Sequence, residues 1–257
     1  MNFKVMKRQL KQMIRAMGLE VKRIDKRDKV RFPGYVEQEF RDLYYKYCHE
    51  TMVPWSGLYT VYNSVNYIIK NDIPGAFVEC GVWRGGCISM IAEILKNADV
   101  TDRDIYLYDT FEGMTEPGDE DTHFSGAQFA RPQYEAKKKK GEKWSYGPLD
   151  VVKENIAKTG YNPDRFHIVK GDVEQTLSQT RPEQICLLRL DTDWYASTKA
   201  EMDHLYPLLE TGGIFICDDY GAWKGAYKAV NEYLTQNAIK PFIHVDTKFG
   251  GIAFLKP

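Results

Sequence analysis

The chain has 257 residues, 43% of them apolar and 28% charged, with 35 basic side chains against 36 acidic ones. That length holds one large α/β domain without demanding a second, and the balance excludes disordered and fibrous classes. The near-zero net charge hides an asymmetry: the first 31 residues carry eleven Lys or Arg against three acids.

Within that basic start Val5, Leu10, Ile14 and Met17 recur at near-helical spacing before Gly18, so a solvated helix is preferred to a polyanion-binding arm. It opens a helical amino-terminal extension expected over residues 1–70. An aromatic-rich segment from Phe40 to Tyr67 is a candidate subunit interface, so a homo-oligomer is carried as an expectation. No stretch offers a signal-peptide core or the roughly 18 apolar residues of a membrane helix, and the cytoplasm is the expected compartment, with no membrane partner. Cys48, Cys80, Cys87, Cys186 and Cys217 are odd in number and lack CxxC pairing, which favours free buried thiols over disulfides or zinc.

From residue 76 onward, short apolar runs alternate with helix-like segments. Strands are expected at 76–80, 105–109, 166–170, 185–191 and 213–219, with helices near 87–97, 149–159, 197–210 and 224–236. This alternation predicts a doubly wound, mostly parallel sheet covered on both faces. The last run, FIHVDTKFGGIAFL, reads as a hairpin turning at Gly250 and Gly251. The stretch Glu112 to Pro148 fits no regular element and reads as a lid loop over 112–148. Its lysines, Lys137 to Lys140, read as a solvated face and not as a nucleic-acid contact.

FVECGVWRGG sets an apolar strand directly before Gly81, Gly85 and Gly86, and a helix-like run follows. Strand, glycine turn and helix cradle a nucleotide, but the spacing is not the GxGxxG that grips a pyrophosphate, so an adenosine ligand without phosphates fits better. Glu79, at the strand end, either receives the ammonium of such a ligand or is a solvated acid. Asp109 closes the second strand where an acid grips ribose hydroxyls, and Asp172 follows the third, within reach of an adenine amino group. Asp191 and Asp193 close the fourth strand, Asp218 and Asp219 the fifth. Carboxylates so concentrated repel one another, and a hard cation, magnesium, calcium or manganese, would resolve the conflict.

PGAFVECGVWRGG, YDTFEGM, WSYGPLDVV, LLRLDTDWYAST, LYPLLETGG and DDYGAWKGAYKAV together resemble the macrocin O-methyltransferase family, and the resemblance spans nearly the whole chain. It implies a single Rossmann-like methyltransferase domain over 1–257, S-adenosylmethionine as cofactor, magnesium as metal, and a sugar hydroxyl in antibiotic biosynthesis as acceptor. It further implies that Asp191, Asp218 and Asp219 bind magnesium and that Asp193 takes the acceptor's proton. Glu79, Gly81, Asp109, Phe111 and Asp172 would hold the cofactor, with Met52 and Val53 over its sulfonium end. Whether Asp193 is base or ligand stays open at this point. Two other readings are carried: a catechol-type O-methyltransferase and a nucleotide-binding regulatory protein without catalysis.

Overall fold

A computed structural model of the chain describes residues 13, 17, 25–126, 130–246 and 250–257. The expected helix on Val5, Leu10, Ile14 and Gly18 lies outside the described residues. The chain divides into two units, 1–36 and 37–257. In the first, Arg27–Lys29 forms one 3₁₀ turn, and Arg27 Nη2 pairs with Asp25 Oδ2 at 2.8 Å.

The second unit opens with helices α1 (Gln38–Tyr47) and α2 (Trp55–Lys70). On α2, Leu58, Val61, Tyr62, Val65 and Ile68 are buried, a stripe repeating every three or four residues that turns one helix face inward. Strand β1 (Ala76–Cys80) runs into helix α3 (Gly86–Asn97), followed by β2 (Ile105–Asp109), α4 (Ala130–Lys139), α5 (Leu149–Ala157) and β3 (Phe166–Lys170). Then come α6 (Val173–Thr176), β4 (Ile185–Leu190), α7 (Tyr195–His204), β5 (Leu209–Cys217), α8 (Lys224–Gln236), β6 (His244–Val245) and β7 (Ile252–Leu255).

The sheet order is β3-β2-β1-β4-β5-β7-β6, with β1 to β5 parallel and β7 antiparallel to both β5 and β6. This is the doubly wound α/β arrangement with a terminal hairpin that the sequence implied. The order reverses between β1 and β4, and in such sheets a ligand crevice opens beyond the carboxyl ends of strands at the reversal. Period-two alternation divides the central strands between two faces. Val78, Cys80, Leu188, Leu190, Phe215 and Cys217 point into a core shared with Met202 of α7 and with Ala226, Val230 and Leu234 of α8. All six residues of β4 are buried, including Arg189, whose charge must therefore find partners inside the protein. Edge strand β3, with pairing on one side only, is the half-exposed one.

Three expectations need correction. The 112–148 stretch is not wholly irregular, because α4 occupies ten residues of it. Helix α7 ends at His204, since Pro207 sits in a 3₁₀ turn, Tyr206–Leu208, that leads directly into β5. Strand β5 starts at Leu209, four residues before the expected position, and carries Gly212 and Gly213 within it. All five cysteines are free and buried, as expected. Among the described residues no helix is long and apolar enough to cross a membrane.

Candidate active site

A cleft opens at the carboxyl ends of β1 to β4. Its floor is made by the residues that follow each strand: Gly81 and Trp83 after β1, Thr110 after Asp109 of β2, Gly171 and Asp172 after β3, and Asp191, Thr192 and Asp193 after β4. Met52 borders it from the α1–α2 connection, and Met114, Thr115 and Ser145 border it from the 112–148 segment.

Backbone geometry explains why glycine follows β1. Gly81 has φ +83°, and a Cβ there would come within 1.9 Å of the Asp191 carbonyl oxygen, so the two loops can touch only without a side chain. Gly86 lies against the Glu50 carbonyl, to which its N–H donates at 2.8 Å; this ties the segment before Met52 to the start of α3. Other residues around the cleft adopt positive φ without being glycine: Trp83 (49°), Phe111 (52°), Ser145 (47°) and Asp193 (66°). Each such position costs about 1 to 3 kcal/mol and persists only where its surroundings hold it.

Asp109 does more than the sequence indicated. One of its oxygens accepts from Phe111 N–H at 2.7 Å, the other from Val82 N–H at 2.9 Å and Trp83 N–H at 3.1 Å. A carboxylate offers about four acceptor positions, so three are committed to the two loops and about one is left over. Asp172 caps α6 by accepting from Glu174 N–H at 3.0 Å through Oδ1. Phe111 is buried and does not line the cleft; its contribution is the N–H given to Asp109. Val53 is likewise buried, its N–H donating to Thr51 Oγ1 at 3.1 Å, whereas Met52 is 59% exposed and borders the cleft.

Glu79 does not line the cleft either. It is buried and hydrogen-bonded to Arg189, a residue to which the sequence reading gave no role. The same guanidinium reaches Asp191 Oδ2 at 3.0 Å through Nη1 and Asp218 Oδ1 at 3.2 Å through Nη2, and Arg189 is only 1% exposed. Its signal in the sequence was a lone arginine inside an apolar strand that ends in acids. Repulsion among the carboxylates was expected to need a bound cation, and the protein supplies one of its own.

One guanidinium does not balance the cluster, which comprises the five carboxylates Glu79, Asp191, Asp193, Asp218 and Asp219. Burial, with the charges of Asp218, Asp193 and Glu79 added, pushes the Asp191 carboxyl well above the usual range against the pull of Arg189. Burial and the charges of Asp193, Asp191 and Asp218 do the same to Asp219. Asp193 is raised to about 6, by burial first, with side-chain hydrogen bonds to Asp219 and Trp223 opposing the rise and the Asp218 and Asp121 charges reinforcing it. Strand β4 ends at Leu190, so Asp193 does not share the cleft with Asp191 by extended-strand alternation. A turn with Trp194 N–H on the Thr192 carbonyl brings it round, and Asp193 N–H donates to Asp219 Oδ2 at 3.0 Å.

In charge and donor type the cluster suits a hard divalent cation. Asp191, Asp218 and Asp219 do not bring three oxygens within 4.8 Å of one another, so side-chain rotation is needed for all three to share an ion. The 112–148 segment is fastened beside this region: Phe124 N–H donates to the Ala222 carbonyl, Lys224 N–H to the Thr122 carbonyl, and Trp194 Nε1 to the Thr115 carbonyl at 3.1 Å. Buried Asp121 accepts from Tyr195 N–H at 2.8 Å and Gly118 N–H at 2.7 Å.

The Macrocin-O-methyltransferase (TylF) family profile matches residues 6–254. Mycinamicin III 3''-O-methyltransferase of Micromonospora griseorubida is 31% identical over 189 residues, covering 74% of this chain and 72% of its own. A Streptomyces olivaceus relative, 8-demethyl-8-(2,3-dimethoxy-alpha-L-rhamnosyl)-tetracenomycin-C 4'-O-methyltransferase, is 30% identical over 197 residues, covering 76% and 72%. Among solved structures the O-methyltransferase NovP matches with a TM-score of 0.69 at 26% identity, over 80% of this chain and 82% of that one. The chain belongs to the macrocin O-methyltransferase family and is an S-adenosylmethionine-dependent O-methyltransferase.

Proposed function

We propose that the chain methylates a hydroxyl of a sugar-like group on a small natural product, with magnesium held by Asp191, Asp218 and Asp219 and Asp193 as proton acceptor. The observation that carries this reading is the sharing of one cleft: Asp191 and Asp193 line the same space as Gly81, Asp109 and Asp172. The rhamnosyl group in the name of the Streptomyces olivaceus relative supports a sugar acceptor.

When bound, S-adenosylmethionine supplies an electrophilic methyl group and magnesium a Lewis acid that aligns and acidifies the acceptor hydroxyl. The chain's own groups do the remainder. The Gly81–Trp83 loop, fixed by Asp109, offers backbone to the cofactor without a Cβ in the way. Asp172 keeps its second carboxylate oxygen for the adenine side, and Met52 covers the sulfonium end from the rim. Asp193 accepts the hydroxyl proton; in the chain alone burial raises its carboxyl to about 6, and a bound cation would draw it back down.

The test is Asp193→Asn assayed across a magnesium titration with a deoxysugar glycoside and, in parallel, a catechol. A base predicts a loss of roughly 10² to 10⁴ in turnover with cofactor and metal affinity kept. Recovery of the rate at high magnesium would make Asp193 a ligand, and preference for the catechol would overturn the sugar assignment.

A further inference from the structure

The buried guanidinium of Arg189 touches three acids: Glu79 on β1 and the two proposed metal ligands, Asp191 after β4 and Asp218 after β5. It is shut off from solvent; its one hydrogen bond goes to Glu79, while Nε and Nη2 make none, so Asp191 and Asp218 are held to it as ion pairs. Two nitrogens of one planar group stand against two carboxylates as ion pairs, each to a single oxygen, leaving the second oxygen of Asp191 and of Asp218 outside these contacts. Lysine cannot reproduce that, because its ammonium is a single point on a flexible stem.

We propose that Arg189 is a positioning residue for the metal site: it holds one oxygen of Asp191 and one of Asp218 at a set separation, so that their remaining oxygens are presented to a divalent cation. The proposal rests on the assignment of Asp191 and Asp218 as magnesium ligands. Arg189 itself does not line the cleft. Its effect is carried by how two carboxylates are aimed and by how much of their mutual repulsion is relieved before a cation arrives. Glu79 completes the arrangement from the other side, anchoring the guanidinium on the strand that leads into the cofactor loop.

Three proteins distinguish the roles: Arg189→Lys, the paired change Glu79→Gln with Arg189→Met, and that pair with Asp218→Asn added. Magnesium affinity is measured by calorimetry on cofactor-bound protein without acceptor, and thermal unfolding is followed with and without magnesium. Arg189→Lys keeps the charge and is expected to fold, to bind cofactor within about twofold of the parent, and to bind magnesium about tenfold more weakly. The paired change is expected to lower the unfolding midpoint, and the added Asp218→Asn to restore much of it, since the unbalanced repulsion is then removed. Unchanged magnesium affinity in a folded Arg189→Lys protein overturns the proposal, and so does an Asp218→Asn change that fails to restore stability. If the parent protein binds no magnesium at all, the metal assignment falls. Restoration by Asp218→Asn together with unchanged magnesium affinity in Arg189→Lys shows that Arg189 balances these acids for stability only, which refutes the positioning role.

Discussion

Replacing Asp109 by asparagine keeps the shape of the side chain and removes its charge, and the structure sets how much that should cost. Three backbone N–H groups, of Val82, Trp83 and Phe111, converge on its two oxygens at 2.7 to 3.1 Å. An amide has one acceptor oxygen. If it faces Val82 and Trp83, its NH₂ confronts the Phe111 N–H; if it is flipped, two N–H groups lose their acceptor. Hydrogen bonds to a charged acceptor contribute about 1.5 to 3 kcal/mol each, and a buried donor left unpaired costs about 1 to 3 kcal/mol. The expected loss is therefore about 2 to 4 kcal/mol of unfolding free energy, read from the denaturant midpoint. Because Trp83 and Phe111 hold left-handed conformations in these loops, the loss should relax the cofactor cradle and weaken S-adenosylmethionine binding by about tenfold or more in calorimetry. A denaturation midpoint equal to that of the parent would refute the view that Asp109 organises the two loops. Normal cofactor affinity in a destabilised protein would place the ribose elsewhere.

Chelation of divalent metal should abolish turnover while leaving cofactor affinity unchanged, as calorimetry on the chelated protein would show; joint loss of both would undo the separation of the two sites. Gly81→Ala should eliminate cofactor binding and lower the thermal midpoint, because its methyl group would sit on the Asp191 carbonyl, and a variant that still binds would mean the loop has another way to turn. Glu201 is buried on α7, and burial first, then the charges of Asp191 and Asp172, raises its carboxyl well above its unfolded value against hydrogen bonds from Thr192 and Cys80. A raised acid contributes stability that is complete below about pH 4.3 and is lost as pH climbs toward the folded value, by up to about 1.4 kcal/mol per unit. Glu201→Gln should flatten the decline in stability between pH 5 and pH 8, and identical slopes for the two proteins would show that Glu201 is not the titrating group. Leu188→Ala, on the sheet face away from Arg189, should cost about 2 to 5 kcal/mol in denaturant unfolding yet leave the cofactor affinity of the folded protein intact.

Strands β1, β2 and β3 begin and end where the sequence put them, because each is a short apolar run closed by glycine or a charged residue. Helix α4 was illegible because ARPQYEAKKK has no apolar face: of its residues only Ala130 is buried, so periodicity had nothing to register. The cleft could be anticipated from acids at the ends of successive strands, and Gly81, Asp109, Asp172, Asp191 and Asp193 do line it. What could not be anticipated was how each acid is occupied. Asp109 and Asp172 read as ligand contacts, but backbone N–H groups claim them first, and such hydrogen bonds leave no trace in residue type. Arg189 was hidden for a different reason. A single charge in an apolar strand looks like an interruption until the neighbouring strands are known to bring Glu79 and Asp218 beside it.

The left-handed backbone at Asp193, with φ +66°, sets stability against the proton-accepting role proposed for it. A conformation that costs an aspartate about 1 to 3 kcal/mol costs a glycine almost nothing. Selection for a sturdier fold alone would therefore favour replacing Asp193, and under its proposed role as proton acceptor it is demand for methyl transfer that keeps the side chain there. A descendant released from that demand should lose Asp193 early, to glycine or asparagine, while its sheet and core remain intact. Thermostabilised versions chosen by folding alone would drift the same way and emerge as sound but silent proteins, so any such screen has to carry a turnover assay beside the melting curve.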